Sequence, residues 1–349
     1  MKLKIFNKYL KKENPVYFIA EIGVNHCGSL KLAKKMILAA KSANANAVKF
    51  QTFKADQFIT KKTSKVKYQK ENTPLKESHY EMIKSLELSD KDHQILINFC
   101  KKNDIDFLST PYNVESAIYL SKLGCKVFKT SSADLVDLEL HEYLAKNKKT
   151  VIISTGMSNL EEIEECLKIY KKYKNNKFIL LHCVSNYPCK KKSLNMLSIK
   201  TLEKKFKCLV GYSDHSVDHY ASITSIALGA VLIEKHFTID KNFPGPDQKT
   251  SSLPSEFKSM VNVAKDIKII LGSNKKNCQK EEIQMKNISR KSLTLNRSVK
   301  IGEVVKKEFV NLKRPGTGLY FKYLSKVVGR KAIKNLKKDY QLSLKDLKK

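Results

Sequence analysis

Short runs of β-branched and aromatic residues alternate with longer amphipathic segments along most of the chain. Eight such runs lie near 16–21, 46–51, 105–110, 126–131, 150–155, 177–183, 207–213 and 230–236. This alternation is typical of βα units, in which helices join parallel strands. Eight units predict an α/β fold of the (β/α)₈ TIM-barrel type. A doubly wound open sheet is the structural alternative, but no GxGxxG turn follows the first run.

The pattern also divides the chain into domains. A lysine-rich stretch follows Gly272, so we predict the barrel over 1–275 and a linker over 276–288. From 289 the pattern changes to short strands and turns, which predicts a small β-rich domain over 289–349. The segment 54–88 is too long for a simple loop, and we expect an irregular lid that contains a helix.

The charge of the chain is strongly positive, with 67 basic and 34 acidic residues and a formal net charge of +33. Such a charge is typical of nucleic-acid-binding proteins, which form the alternative class. However, nucleic-acid recognition favours arginine, and the only arginines are Arg290, Arg297, Arg314 and Arg330. We therefore interpret the charge as a solvated lysine surface and expect no nucleic-acid partner. Before residue 290, any anion must be bound by lysines, hydroxyls or backbone N–H groups.

The chain has no sequence feature of an exported or membrane protein. No apolar run approaches membrane-spanning length, and residues 1–14 carry lysines instead of the apolar centre of a signal peptide. The eight cysteines include no CxxC pair, so neither a zinc knuckle nor a disulfide framework is indicated. We expect a cytoplasmic protein with reduced thiols and no membrane partner.

Polar side chains occur at the carboxyl end of every predicted strand. In (β/α)₈ barrels these ends and the loops after them form the active site. One group consists of two lysines and four hydroxyls: Lys49, Thr110, Lys129, Ser132, Ser154 and Ser213. Lysine supplies a point charge and hydroxyls supply directed donors. We therefore predict that these six residues, the anion cradle, bind a phosphate and a carboxylate.

A second group predicts a metal site. His215 and His236 end neighbouring predicted strands, so their imidazoles can share an ion, with Glu21 as a third or water-mediated ligand. Imidazoles with a carboxylate and open water positions suit a divalent ion such as Mn²⁺.

Other polar residues near these strand ends have structural interpretations. We interpret His182 as a packed histidine, because a histidine in a strand is more often a core residue than a ligand. Glu234 and Lys235 are adjacent in a strand, so only one of them can point into the site.

At these residues the chain resembles the N-acetylneuraminate (sialic acid) synthase family, which includes the legionaminic and pseudaminic acid synthases. The matching segments are AEIGVNHCGS (20–29), AVKFQTFKA (47–55), LSTPY (108–112), ISTGMS (153–158), LLHCVSNYP (180–188), GYSDH (211–215), LGAVLIEKHFTIDKNFPGPD (228–247) and KRPGTG (313–318). They run in family order through the barrel. Residues 289–349 resemble the antifreeze-like (SAF) domain of the same family.

The resemblance implies an activity and a cofactor. Members of this family condense phosphoenolpyruvate with an open-chain N-acylated hexosamine of the N-acetylmannosamine type, giving a nonulosonic acid and phosphate by C–O cleavage. The implied catalytic and metal-binding residues are His215 and His236, with Glu21 close by. Mn²⁺ is the expected ion, with Mg²⁺ and Co²⁺ as alternatives.

The resemblance also implies how the two substrates are bound. Phosphoenolpyruvate is expected in the anion cradle, and the sugar is expected at the positions matching Gln51, Tyr187 and Asp247. Arg314 is implied to reach the sugar site of a partner subunit, which implies a domain-swapped homodimer. The glutamate of a PSGE segment in many relatives corresponds to Asp134 here, so Asp134 is the expected sugar contact at that position.

Two related reactions stay open as alternatives. A legionaminic acid synthase would use a diacetamido-trideoxyhexose instead of N-acetylmannosamine, and the motifs do not separate these two branches. A keto-deoxy sugar acid synthase would use an aldose phosphate. That reaction should need arginines for the second phosphate, and the predicted barrel contains none.

Overall fold

The computed structural model describes residues 1–349, which form two compact units, Met1–Gly272 and Ser273–Lys349. The division falls close to the predicted end of the barrel. None of the helices combines the length and the apolar character that a membrane-spanning segment requires.

The first unit is built on an eight-stranded parallel sheet. The unit has ten strands, of which the first two form a separate hairpin and the other eight form this sheet. They are β1 (Leu3–Ile5), β2 (Lys8–Leu10), β3 (Tyr17–Gly23), β4 (Ala47–Thr52), β5 (Asp106–Pro111), β6 (Val127–Thr130), β7 (Thr150–Ser154), β8 (Phe178–Cys183), β9 (Val210–Asp214) and β10 (Leu232–His236). The sheet order is β5-β4-β3-β10-β9-β8-β7-β6, and all seven pairings are parallel. β5 also lies beside β6, so the sheet is nearly closed. The predicted (β/α)₈ barrel is confirmed.

Helices lie between the strands. They are α1 (Leu30–Ser42), α2 (Ala55–Phe58), α3 (Lys67–Asn72), α4 (His79–Ser85), α5 (Asp90–Lys102), α6 (Val114–Lys122), α7 (Leu138–Lys146), α8 (Leu160–Lys172), α9 (Ser198–Phe206), α10 (Tyr220–Ala227) and α11 (Pro254–Leu271). Polar caps begin several of them: Ser89 accepts from the backbone N–H of Asp92, and Asn159 from that of Glu162. Such caps satisfy N–H groups that have no partner within the helix.

The barrel core follows the period of two along its strands. Tyr17 and Ile19 point to the barrel interior, whereas Phe18 and Ala20 pack against the helices. The interior is apolar at the amino end of the strands, where the β1–β2 hairpin packs Leu3 onto it. No strand was predicted over 3–10, although apolar residues alternate with lysines there.

The segment between β4 and α5 contains three short helices, α2, α3 and α4. We predicted one helix in an irregular lid, so the segment has more regular structure than expected. We call residues 54–88 the lid segment.

The second unit is small and rich in short strands. Its helix α12 (Ile283–Ser289) precedes strands β11 (Ser292–Leu295), β12 (Val310–Lys313), β13 (Lys331–Ala332) and β14 (Leu347–Lys348). β11 pairs with β12 and β13 with β14, both antiparallel. The segment predicted as a linker, 276–288, thus contains most of α12. The β-rich character expected after 289 is observed.

Candidate active site

Polar side chains face the barrel interior at the carboxyl end of the strands. Along β3, the side chains that point inward are Tyr17, Ile19 and Glu21. The first two belong to the apolar interior of the barrel, and Glu21 is an ionisable group that lines the cavity above it. The other strands change in the same way and enclose a cavity of about 700 Å³. Twelve of the fourteen predicted site residues line this cavity; the exceptions are Asp134 and Arg314.

Lys49 lies buried in the wall of the cavity. Its ammonium is 2.8 Å from Glu21 Oε2 and donates a hydrogen bond to Thr110 Oγ1 at 3.0 Å. Glu234 Oε1 is 3.8 Å away. Burial acts to lower the pKa of Lys49, but the charges of Glu21 and Glu234 outweigh it, so the pKa is raised. Lys49 is therefore a permanent positive charge in the site.

Lys129 provides the second buried positive charge. Its ammonium donates to Ser154 Oγ at 2.5 Å and to the carbonyl of Thr130 at 2.7 Å. Glu234 Oε1 is 3.8 Å from it and accepts a hydrogen bond from Ser213 at 3.2 Å. Glu234 thus lies between both lysines, and it is the member of the Glu234–Lys235 pair that points inward.

Ser132 is positioned by a close backbone approach. The N–H of Gly156 donates to Ser132 Oγ at 3.0 Å. A Cβ atom at Gly156 would lie 2.7 Å from Ser132 Oγ and 2.4 Å from Ser185 Oγ. Only glycine therefore lets the two hydroxyls converge beside this backbone N–H, which adds donors to the anion cradle.

His215 and His236 come together in the same cavity. Their ring centroids are 5.5 Å apart, and the ring of Tyr187 lies 4.1 Å from His215 and 5.4 Å from His236. His215 Nδ1 donates to the carbonyl of Val184 at 2.8 Å, with the proton assigned from this partner. The Nε2 lone pair of His215 is then available to a ligand.

The two histidines fit a metal ion that takes its other ligands from water or substrate. His236 Nδ1 is buried without a hydrogen-bond partner. Burial, followed by the charges of His215 and Lys49, lowers the pKa of His236 well below its ordinary value, so the ring is neutral. No three His, Cys, Asp or Glu side chains approach closely enough to hold an ion by themselves. Glu21 is engaged by Lys49, so its role as a third ligand stays a prediction.

The cavity contains an unusual share of unsatisfied polar atoms. Eight residues of the protein have a buried side-chain nitrogen or oxygen without a hydrogen-bond partner, and five of them line this cavity: Glu21, His79, Glu234, His236 and Asp247. The Glu21 oxygen is still paired by charge with Lys49. Because buried polar groups are almost always satisfied, such a cluster indicates a binding site for a polar ligand.

Two acids of the cavity have pKa values near neutrality. Burial raises the pKa of Glu21 to about 7, although the charge of Lys49 opposes the increase. Burial also raises the pKa of Asp247 to about 6. Asp247 Oδ2 is 3.8 Å from His236 Nδ1. Both carboxyl groups can therefore exchange protons close to neutral pH.

The predicted sugar residues are only partly brought together. Gln51, which donates to Glu21 Oε1 at 3.2 Å, lines the cavity with Tyr187 and Asp247. Asp134 does not line it, and its carboxylate accepts from Ser131 at 2.6 Å. Arg314 belongs to the second unit, where its Nε donates to the carbonyl of Ser289 at 3.1 Å.

Several residues that line the cavity were not predicted as site residues from the sequence. Cys183 Sγ lies 3.7 Å from His215 Nδ1. The lid segment contributes Tyr68, whose ring centroid is 5.1 Å from that of Tyr187. An aromatic wall consists of Phe53, Phe58 and Tyr112, with ring centroids 4.5 to 5.7 Å apart. Cys183 shares the inward parity of its strand, whereas no local pattern distinguishes Tyr68.

A buried network lies on the outer side of β9 and β10. Lys235 donates to Asp214 Oδ2 at 2.9 Å and to the carbonyls of Ser216 and Asp218 at 2.7 and 3.0 Å. Asp214 also accepts from the backbone N–H and the hydroxyl of Ser216, at 2.8 and 2.7 Å, and from Ser222 at 2.6 Å. We call this network the cross-strand clamp.

The clamp fixes the backbone beside both histidines. Asp214 precedes His215 and Lys235 precedes His236, and Asp214 and Lys235 are partners in the sheet register. His182 also lies outside the cavity, where its Nε2 is 2.7 Å from the carbonyl of Leu194, as expected for a packed histidine.

Comparison with known proteins places the chain in a family. The sequence model of the NeuB family matches residues 36–276, and the sequence model of the SAF domain matches residues 290–348. The chain is 42% identical to the N,N'-diacetyllegionaminic acid synthase of Campylobacter jejuni, over 92% of this chain and 97% of that protein. It is 40% identical to the synthase of the same name from Legionella pneumophila, over 92% of this chain and 91% of that protein.

A solved structure agrees with these relatives. The N-acetylneuraminic acid (sialic acid) synthetase of Leptospira borgpetersenii, crystallised in complex with citrate, matches with a TM-score of 0.74 and 34% identity. The match covers 82% of this chain and 95% of the solved one. The family model, the curated relatives and the fold agree, and the chain therefore belongs to the NeuB family, with a SAF domain at its carboxyl end.

Proposed function

We propose that this protein condenses phosphoenolpyruvate with an open-chain N-acylated hexosamine, giving a nonulosonic acid and phosphate. The observation that carries the proposal is the juxtaposition, in one cavity, of two buried lysines and two histidines, of which His236 is neutral. The lysines suit the phosphate and the carboxylate of the enol, and the histidines suit an ion beside the sugar aldehyde. Relatives named as legionaminic and sialic acid synthases support the same reaction class.

In the proposed complex, the anion cradle holds phosphoenolpyruvate. Lys49 and Lys129 supply the two positive charges, and the cradle hydroxyls and the Gly156 N–H supply directed donors. Because Glu234 balances both lysines in the free protein, the arriving anion competes with it for their charge. Such fixed charges also stabilise the phosphate that leaves.

The bond changes follow from this placement. The methylene carbon of phosphoenolpyruvate forms a C–C bond with the sugar aldehyde carbon, whose oxygen takes up a proton and becomes a hydroxyl. Water adds to the former enol carbon. The C–O bond to phosphate then breaks as the added hydroxyl becomes the ketone and gives its proton to the phosphate. A divalent ion, Mn²⁺ in our proposal, held by His215 and His236 would polarise the aldehyde oxygen. Glu21, with a pKa of about 7, accepts the proton of the attacking water.

Two observations favour a diacetamido-trideoxyhexose as the sugar. Two relatives at 40% identity or above are named as diacetyllegionaminic acid synthases. The cavity also has an aromatic wall of Phe53, Phe58 and Tyr112. A trideoxy sugar presents a methyl group and a second acetamido group where N-acetylmannosamine presents hydroxyls, so it buries more apolar surface against such a wall.

The test is phosphate release from phosphoenolpyruvate in the presence of Mn²⁺ and a panel of sugars. We expect release with 2,4-diacetamido-2,4,6-trideoxymannose, weaker release with N-acetylmannosamine, and none with an aldose phosphate. The nine-carbon acid should be identified by mass spectrometry. Absence of release with every acylated hexosamine would contradict the proposed reaction, and a preference for N-acetylmannosamine would contradict only the choice of sugar.

We propose further that Arg314 acts on the sugar bound by a second copy of the chain. The only arginines lie at 290 and beyond, so the barrel has no bidentate cation of its own. Replacing Arg314 with alanine should raise the KM for the sugar about 100-fold, since hydrogen bonds from charged groups are strong. Sedimentation should show a dimer as the active species. An active monomer would contradict this arrangement.

A further inference from the structure

The lid segment forms one wall of the cavity that holds the two histidines. Residues 66–69 of the lid segment and Glu71 line this cavity together with residues of the barrel. Asn72, at the end of α3, donates to the carbonyl of Pro246 at 3.0 Å, which ties the helix to the loop after β10. The first turn of α3 is therefore held against the part of the cavity that contains Asp247.

Tyr68 is a lid residue whose ring packs against a ring of the barrel, that of Tyr187. Its ring is tilted by 34° to the ring of Tyr187, with 5.1 Å between the centroids. Tyr187 in turn lies against His215 at 4.1 Å. Three rings therefore form a continuous row from the lid segment to the predicted metal ligand.

Tyr68 lines the cavity together with a buried acid, Asp247. Burial raises the pKa of Tyr68, and the charge of the Asp247 carboxylate acts in the same direction. Asp247 Oδ1 has no hydrogen-bond partner. Tyr68 thus lines the cavity with an apolar ring that carries a polar hydroxyl group. This combination suits an acylamino substituent, whose methyl group can pack on the ring and whose amide can bond to the hydroxyl.

We propose that Tyr68 is a specificity-determining residue that contacts the acylamino group of the sugar. The inference rests on the proposed function, because it assigns a role within the same cavity. The buried lysines are held by Thr110, Ser154 and the two glutamates, and Tyr68 is not among their hydrogen-bond or ion-pair partners. It therefore acts on the sugar and not on phosphoenolpyruvate.

The test compares Tyr68→Phe and Tyr68→Ala with Tyr80→Phe as the matched control. Tyr80 lies on α4 of the same lid segment, but its hydroxyl donates to Asp56 and it does not line the cavity. At saturating phosphoenolpyruvate, we expect the KM for the sugar to rise about 10-fold in Tyr68→Phe and about 100-fold in Tyr68→Ala. The kcat and the KM for phosphoenolpyruvate should change less than about twofold, because the anion cradle is untouched. Tyr80→Phe should match the wild type.

The outcomes separate the inference from the reaction on which it rests. A wild-type protein that releases no phosphate with any acylated hexosamine contradicts the proposed function. Wild-type turnover with an unchanged sugar KM in Tyr68→Ala overturns the role of Tyr68 alone. Equal increases in the KM for both substrates also overturn it, because they would show that Tyr68 only keeps the lid segment folded. Thermal unfolding of each variant controls for loss of the fold.

Discussion

Replacing His236 with alanine is expected to abolish divalent-ion binding and to lower the rate of phosphate release about 1,000-fold. The reason is that a bound ion lowers the activation barrier by several kcal/mol. His236 is one of only two imidazoles that face each other in the cavity, and its Nδ1 has no protein partner. A single remaining ring at His215 binds an ion too weakly to replace the pair. Titration calorimetry with Mn²⁺ measures the loss independently of activity.

The matched control for this prediction is His219→Ala. His219 lies between β9 and α10, outside the cavity, and its side chain makes no cap hydrogen bond to α10. This variant should bind Mn²⁺ and turn over like the wild type. Both variants should unfold cooperatively, because the cross-strand clamp does not involve either ring. Retention of Mn²⁺ binding and activity in His236→Ala would refute the proposed metal site.

Replacing Lys129 with methionine is expected to lower turnover by about 1,000-fold, the loss typical of one removed oxyanion donor. Methionine keeps most of the side-chain volume, but it leaves Ser154 without its ammonium partner and Glu234 with Lys49 alone. The unbalanced carboxylate then repels the incoming anion, so the KM for phosphoenolpyruvate should also rise. Steady-state kinetics of phosphate release measure both effects.

Lys149→Met provides the control for Lys129. Lys149 is partly buried on the outside of the barrel, where its ammonium lies over the ring of Phe128. Its loss removes one positive charge from the chain without touching the cavity, and the kinetics should be unchanged. Equal effects of the two substitutions would show that overall charge, and not the anion cradle, governs binding of phosphoenolpyruvate.

The fold and most of the cavity could be predicted because both follow from local patterns. Each strand is a short apolar run, and each run ends in polar residues that the barrel topology gathers at one end. Glu234 and His236 have the same parity in β10, so the inward position of His236 also predicts that Glu234 points inward and Lys235 outward.

Other features could not be predicted from local patterns. Tyr68 belongs to a six-residue helix, and its place in the cavity depends on contacts with Tyr187 and with the loop after β10. Such long-range contacts leave no periodic signal in the sequence. The β1–β2 hairpin was missed for another reason: its lysines suggested a solvated terminus, although Leu3, Ile5 and Leu10 alternate with them.

The cross-strand clamp has a consequence for how the protein would handle its ion. The carboxylate, the ammonium and the hydroxyls around Asp214 and Lys235 satisfy one another without any bound ligand. The spacing of the two imidazoles is therefore preorganised by the polypeptide, and a cation that enters need not assemble its own ligands. Chelation should then leave a folded protein that can be reloaded with a divalent ion.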